Sequence, residues 1–582
     1  MWRGEKVLVL VLLLLFWSVC SLAQEFDERI LIITGAADME ALDEETAEKF
    51  AHLRRSPVEI NRCSRLRLQA SGLFTPYQAA SLASYINKNG DVLSIMELAL
   101  VDGFDLRFAE AISPFISLYS KRLPGRERED KLLWDNSLMM RTAVLNKGFN
   151  YGAKFKSELQ GIWEGGLAVK KDYLSKGFAP SLYGGQMALH GGKILETLII
   201  GDYNVRFGQG LALWSGFSMT GFQGLNSIAK MPSGISPSLS FSDSNCRGLA
   251  ASFNLGKLTL TALTAFPGLR ERMENAKKRG IIIVAPALNM MWSGRKGQLG
   301  LTCTGKSGYK SMSFSKLAID TRACFNGTDL FSEAAFDFSV KRFAFIGGAI
   351  FRLGEIVSVA ASGRYYPEKY DYWLTGASRA SSKTRNEAGI SLGLGIKNFE
   401  ICADGVNFLS DGRKLLKILL MQTWNISKSL SLRIRLVERL RTYEQTNKTG
   451  LRLDLKWLQD YWLACFRIEP VWGSGFGGLA YSEAGYKNER FALYLRGTVF
   501  RVDSWEDRIS SYERDAPGNF TVSAYYGRGY SLALYANAKW RLCGRTVIKS
   551  YIRSGLASFP WSLPKQKKPG AAELKFQINL EW

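Results

Sequence analysis

From about residue 134 to the C-terminus, apolar and polar side chains alternate with a period of two. In "SLRIRLVERL", Leu432, Ile434 and Leu436 alternate with Arg433 and Arg435, and Glu438 follows. In "LRLDLKW", Leu451, Leu453, Leu455 and Trp457 alternate with Arg452, Asp454 and Lys456. "KLTLTALTAF" and "SLALYANAKW" repeat the pattern. Successive side chains of a strand point to opposite faces, so each segment has one apolar and one wet face. Roughly two dozen such segments of about 8–12 residues can be marked between Gly, Asn, Ser and Asp turns.

Residues from about 40 to 118 carry a helical period instead. Thr75 and Pro76 open a helix "PYQAASLASYINKN" that stops at Gly90. Ser94 and Glu97 form a capping box for a helix ending near Gly103, and Asp105 caps a last helix through Phe115. The pattern predicts two helix–hairpin–helix units in tandem.

Ahead of both, Arg3 and Lys6 flank the apolar run Val7–Trp17, and Ser21-Leu22-Ala23 supplies a small-x-small cleavage site. This is a secretory signal spanning residues 1–23. A lipoprotein site at Cys20 is the weaker alternative, because Val19 precedes it. Beyond residue 23 no apolar run reaches the about 18 residues of a spanning helix. The segments after residue 134 also show no linker that would divide a soluble sandwich into domains. The expected fold class is therefore an all-β transmembrane barrel of about 20–24 antiparallel strands over residues 123–582, preceded by a small all-α domain over 24–122. Connections near 216–246, 366–386, 503–518 and 555–570 are expected to be extracellular excursions.

In the last strand, "LKFQINLEW", Leu574, Phe576, Ile578, Leu580 and Trp582 share one face, opposite Lys575, Gln577, Asn579 and Glu581. An alternating last strand with Phe576 and a terminal Trp582 resembles the sorting signal of bacterial outer-membrane barrels. The stretches "GLAVKKDY" (Gly166–Tyr173), "LIIGDYNVRFGQGLALWSGFSMTGFQG" (Leu198–Gly224) and "SNCRGLAASFNLG" (Ser244–Gly256) resemble a family of Bacteroidetes outer-membrane barrels carrying an N-terminal helix-hairpin-helix module. Gly201 to Gly210 is the most distinctive part. The resemblance covers nearly all of the mature chain and implies a place in the cell outer membrane, against its lipid and lipopolysaccharide, with the N-terminal domain in the periplasm. It implies no reaction.

Enzyme chemistry has few candidates. His52 and His190 are the only histidines, the cysteines are scattered without a C-x-x-C pair, and no cofactor or metal is expected. "GSGFGG", Gly473–Gly478, has the spacing of a dinucleotide loop but opens no helix, so it is expected to be a flexible hairpin. His190 is expected to be a wall residue.

Charge is more informative. The net charge is +23, yet residues 24–122 carry 11 Lys and Arg against 15 Asp and Glu. The basic character thus belongs to the barrel, where Arg433, Arg435, Arg452, Lys456 and Arg467 fall on polar faces of adjacent strands. They are expected either to favour anionic solutes or to pair with Glu438, Asp454 and Glu469.

The run from Val58 to Phe104 resembles the helix-hairpin-helix domain of competence DNA receptors. That resemblance implies hairpins of the form Gly, apolar residue, Gly, whose amides hold a backbone phosphate. Here the hairpins are Gly72-Leu73-Phe74 and Gly103-Phe104-Asp105, and both second glycines are replaced. Phe74 is expected to block phosphate approach, and Asp105 to occupy and repel. Arg62, Arg65 and Arg67 form the one local basic patch. The expected function is a channel, transport or assembly component whose helical domain docks on a periplasmic or outer-membrane partner or plugs the barrel. A DNA-uptake component contacting nucleic acid through these arginines, Gly72 and Gly103 is the alternative.

Overall fold

The computed structural model describes residues 26–120, 134–145, 148–159, 161–172, 177–219, 221–241, 245–266, 284–307, 312–325, 327–354, 356–370, 374–443, 447–542, 546–558 and 571–582. The secretory signal expected at residues 1–23 lies outside them. Alternation resolves into a closed antiparallel barrel of 24 long strands, from Trp134–Leu145 to Ala571–Glu581. These strands run 9 to 15 residues. The final strand pairs with the first from Glu573↔Leu145 to Glu581↔Ser137. The Trp582 and Asn136 backbones then exchange hydrogen bonds at 3.0 and 3.1 Å. Closure satisfies the two edges that an open sheet would expose to lipid.

Apolar residues such as Leu167, Leu301, Ile319 and Ile390 face outward. Exposed aromatics ring both ends of this apolar band: Trp134, Trp292, Trp462 and Trp540 at one, Phe314, Phe343, Trp472 and Tyr530 at the other. Such girdles mark the two interfaces of a membrane barrel. At the Trp134 end, consecutive strands are joined by two to five residues, as at 256–257 and 295–296. The long connections among the described residues, 207–219, 221–241, 374–386 and 503–526, belong to the opposite end.

The expectation that these connections form outward excursions is corrected. Phe222, Ile228, Leu239, Phe241, Tyr370, Ala377, Ile509 and Ala516 are buried, and the segments fold back into the lumen. They carry buried apolar side chains that a solvated loop would have to expose. Residues 555–558 belong to a strand, Val547–Ser558, and 559–570 lie outside the described residues.

The N-terminal helices are α1 (Phe26–Thr34), α2 (Glu44–Arg55), α3 (Arg65–Ala70), α4 (Pro76–Asn89), α5 (Ile95–Ala99) and α6 (Leu106–Ile112). Thr75 and Gln78 complete a reciprocal capping box at the start of α4. Ser94 accepts from the Glu97 amide, but α5 is shorter than the sequence suggests and ends at Ala99 in tight turns to Glu97 and Leu98. Asp105 caps α6 through the Phe108 amide at 2.7 Å. Pro114 has no amide to continue the ladder, so the chain passes into a short 3₁₀ turn, Ser113–Phe115. Phe50, Leu68, Leu73, Phe74, Leu82, Val92, Leu98, Ile112 and Phe115 form the helices' own core.

Candidate functional site in the barrel lumen

The helices enter the barrel from the end with short turns. Arg55 meets Glu581 at 3.3 Å and Asp135 at 3.7 Å, and Asp105 meets Arg352 at 3.5 Å. Asp102 pairs with Arg295 in a short turn. Deeper in, the segment between α1 and α2 presents acids to the basic strands. Asp38 pairs with Arg435, and Arg452 lies 3.4 Å from both Asp38 and Glu40. Arg467 donates to Glu40 at 2.9 Å, as does the Tyr512 amide at 3.1 Å. Arg433 donates to the Ala37 carbonyl at 2.5 Å, and Lys456 lies 4.0 Å from Glu28. Within the wall, Arg452 also forks onto Glu469 at 2.8 and 3.0 Å, and Arg467 pairs with Asp454.

Helix α2 continues the pattern. Glu44 meets Arg141 at 3.1 Å, Glu45 meets Arg206 at 3.1 Å, and Glu48 meets Lys154 at 2.6 Å and Lys156 at 3.7 Å. Burial works against the Glu48 carboxylate, but Lys154 and Lys156 overcome it and hold the carboxyl at about 2. Glu40 is likewise buried, yet Arg452 and Arg467 keep its carboxyl well below the ordinary range. Lys49 shows the opposite balance. Burial, with Arg206 adding to it, pushes its ammonium down to about 7. The acidic module and the basic barrel are thus two halves of one charge-paired interface.

The folded-back connections fill the lumen from the other side. Glu333 accepts the amides of Gln209, Leu211 and Ala212 at 2.6, 3.1 and 3.1 Å. Lys417 donates to the Phe222 carbonyl at 2.8 Å, and the Glu400 carboxylate takes the Leu225 amide. Met219 and Phe520 pack against the helical core, and Asn226 donates to the Ile32 carbonyl at 3.3 Å. At Gly35, φ is +71° and a Cβ would stand 2.5 Å from the Asn226 backbone, so only glycine permits this approach. Two cavities of about 170 and 120 Å³, the first mainly polar, border the seam between first and last strands. At about 30 Å³ per water, each holds only a few molecules.

The hairpin residues are turned toward this packing. Phe74 is fully buried, with its ring 5.9 Å from Phe104, so it stands in the helical core rather than where a phosphate oxygen approaches. Gly72 has φ +63° and its carbonyl accepts from Lys49 at 3.0 Å. Gly103 has φ +89°, and a Cβ there would strike the Tyr77 hydroxyl. Arg65 donates to Thr259 at 2.8 Å, Arg67 lies 3.9 Å from Glu158, and Arg62 lies 3.3 Å from Glu59. Two of the three arginines thus contact the barrel. The acids Asp38, Glu40, Glu44, Glu45 and Glu48 were not singled out from sequence, although the module's acidic balance was their signal.

No family profile and no curated protein matches the chain. Among solved structures, the chain is similar to the outer-membrane protein OprD of Pseudomonas aeruginosa, with TM-score 0.32 and 8% identity over 77% of this chain and 94% of that one. It is similar to the FrpB iron transporter of Neisseria meningitidis, F5-1 variant, with TM-score 0.33 and 10% identity over 77% and 82% of the two chains. The P pilus usher PapC translocation pore gives TM-score 0.33 and 10% identity over 77% and 99%. The likeness is one of barrel form alone.

The other residues marked from sequence are wall and turn residues. Phe576 and Trp582 are exposed on the outer surface, and Trp582 packs 6.3 Å from the Phe155 ring. Their polar neighbours face in: Lys575 pairs with Asp515 at 2.8 Å, and Glu581 with Lys549 at 2.8 Å. His190 is half-buried at a strand end, its Nδ1 3.3 Å from the Thr197 hydroxyl. The Gly473–Gly478 hairpin is held rather than flexible, because the Asp507 carboxylate accepts from the Gly475 amide at 2.7 Å and from Ser474 at 3.0 Å.

Proposed function

We propose that this chain is an outer-membrane transport or assembly pore whose lumen is closed by residues 24–122 acting as a periplasmic plug. The apolar outer band, its two aromatic girdles and the one-sided distribution of long connections support a membrane barrel with its short turns toward the periplasm. Its surroundings are then outer-membrane lipid and lipopolysaccharide. The observation that carries the plug reading is the pairing of Asp38 and Glu40 with Arg435, Arg452 and Arg467. Charges paired in a dry interior are costly to part, so they hold a plug until a partner or driving event separates them. A periplasmic protein contacting the exposed underside of the helices is a suitable agent for that event.

Single-channel recording of the full chain in planar bilayers tests the reading. The native chain gives little conductance, and the variant with Asp38→Asn, Glu40→Gln, Glu44→Gln, Glu45→Gln and Glu48→Gln gives more frequent openings, their size set by the folded-back connections that remain in the lumen. A native chain that already conducts as a wide pore, or a variant that stays closed, overturns it.

A further inference from the structure

Parts of the three stretches that carry the family resemblance, Leu167–Lys170, Leu198–Arg206 and Cys246–Leu255, lie together in the wall beside the strand Leu182–His190. There the ladder is incomplete. The strand Leu182–His190 pairs with Leu195–Arg206 only from Gln186↔Gly201 to His190↔Thr197. Gly201 has φ +102°, and a Cβ there would stand 2.2 Å from the Gly185 carbonyl oxygen. Beyond it the second strand leaves its neighbour, and Tyr203, Asn204 and Val205 become fully buried on both faces. The upper part of the first strand, Leu182–Gly185, keeps its partner on one side, Leu167–Lys170, and among the described residues has no strand pairing on the other.

Two side chains replace the missing ladder bonds. The Asp202 carboxylate accepts from the Gly185 amide at 2.7 Å, and Arg247 donates to the Tyr183 carbonyl at 2.7 Å. Arg247 also forks onto Asp202 at 2.5 and 2.8 Å. Backbone hydrogen bonds of a ladder cannot be rearranged singly, whereas a side-chain pair opens by rotation of two side chains.

The surroundings grade from apolar to cationic. Outside lie the exposed Leu167, Tyr183, Ile200 and Leu249. Behind the parting, Leu239 packs with Ala168 and Phe241. Phe241 in turn is faced by Arg141 at 4.2 Å, Lys154 at 4.1 Å and Lys170 at 5.9 Å. The 170 Å³ cavity begins beside these cations, at Arg141 and Lys170.

We propose that this parting is a lateral portal, latched by Asp202 and Arg247, through which an amphiphile with an anionic head group passes between the lumen and the outer leaflet. The inference rests on the membrane-pore reading above. The acyl chain lies along Leu167, Tyr183 and Leu239, and the head group meets Arg141, Lys154 and Lys170. Substrate enters or leaves sideways, so the axial plug and the wall latch are separate closures.

The test uses the full chain in vesicles of phosphatidylethanolamine and phosphatidylglycerol with a diazirine-bearing fatty acid. After illumination, adducts are mapped by peptide mass spectrometry. Adducts are expected at Leu239 and Phe241, rising severalfold in Asp202→Asn, and weaker with the matching uncharged fatty alcohol. Adducts confined to lipid-facing residues such as Leu249 in both proteins overturn the portal, and equal labelling by the alcohol overturns the anionic head group. Should Asp202→Asn fail to fold, shown by lost heat-modifiable gel mobility, the native chain's labelling decides alone. The portal is read from adduct positions in a chain whose Glu44 and Glu48 are intact on Arg141 and Lys154, and the plug from conductance, so the two proposals fail separately.

Discussion

Glu40 accepts a hydrogen bond from Arg467 at 2.9 Å, across 427 positions of the chain. Arg452 approaches the same carboxylate at 3.4 Å. Replacing Glu40 by Gln keeps the shape but leaves two buried guanidinium groups short of an anion. Removing one partner of a buried pair costs about 3–5 kcal/mol, and that loss falls on the docked state. Faster amide hydrogen exchange in residues 26–55, with the barrel strands unchanged, is the expected outcome. Unchanged exchange shows that the pair does not hold the module.

Docking also depends on pH, with a sign set by each group. The Glu48 carboxyl is held at about 2 against an ordinary 4.5, so its contribution is present above pH 4.5 and is lost as pH falls toward 2. Lys49 lies at about 7 against an ordinary 10.5, so the docked state binds fewer protons and gains stability as pH rises from 7 to 10.5. Hydrogen exchange of α2, corrected for the intrinsic rate, is expected to slow over that alkaline range. Lys49→Met abolishes the slowing.

Phe74 tests what became of the hairpin. It is fully buried among the helices, and Phe74→Ala is expected to destabilise the module by about 3–5 kcal/mol through lost burial and a cavity. The Phe74→Gly variant gives the turn the Gly, apolar residue, Gly form, yet Gly72 and Gly103 remain packed against Lys49 and Tyr77. Fluorescence anisotropy with duplex DNA at low salt is expected to show no gain in binding for Phe74→Gly, and a gain shows that the ring alone blocked the site.

Trp582 closes the ring of strands. Its backbone exchanges two hydrogen bonds with Asn136, each worth about 1 kcal/mol net, and its ring packs on Phe155. Deleting Trp582 is expected to lower the unfolding temperature of the barrel and reduce the heat-modifiable fraction on gels. Trp582→Phe retains both.

The strands were legible in the sequence because alternation is a local property. Lys575 and Phe576 point to opposite faces whatever lies across from them. The helix starts at Pro76 and Leu106 were legible for the same reason, since a cap and its acceptor lie within three residues. The rough places of the long connections were legible too, though the bounds expected at 216–246, 503–518 and 555–570 were off, and their direction was not legible. Nothing local to residues 207–245 says that Leu211 and Phe222 turn inward, because their partners, such as Glu333 and Lys417, lie far along the chain. The basic faces at Arg435, Arg452 and Arg467 were visible, whereas their acidic counterparts in the module were seen only as a net charge.

The sequence by itself thus determined a barrel with a lipid-facing and a lumen-facing side, a helical domain ahead of it, and opposite charges on the two. Tertiary structure alone decided that the charges meet, that the lumen is filled from both ends, and that the wall parts beyond Gly201. The reason is physical. Periodicity is set by bonds between neighbouring residues, while ion pairs and close backbone approaches depend on where ring closure brings residues hundreds of positions apart.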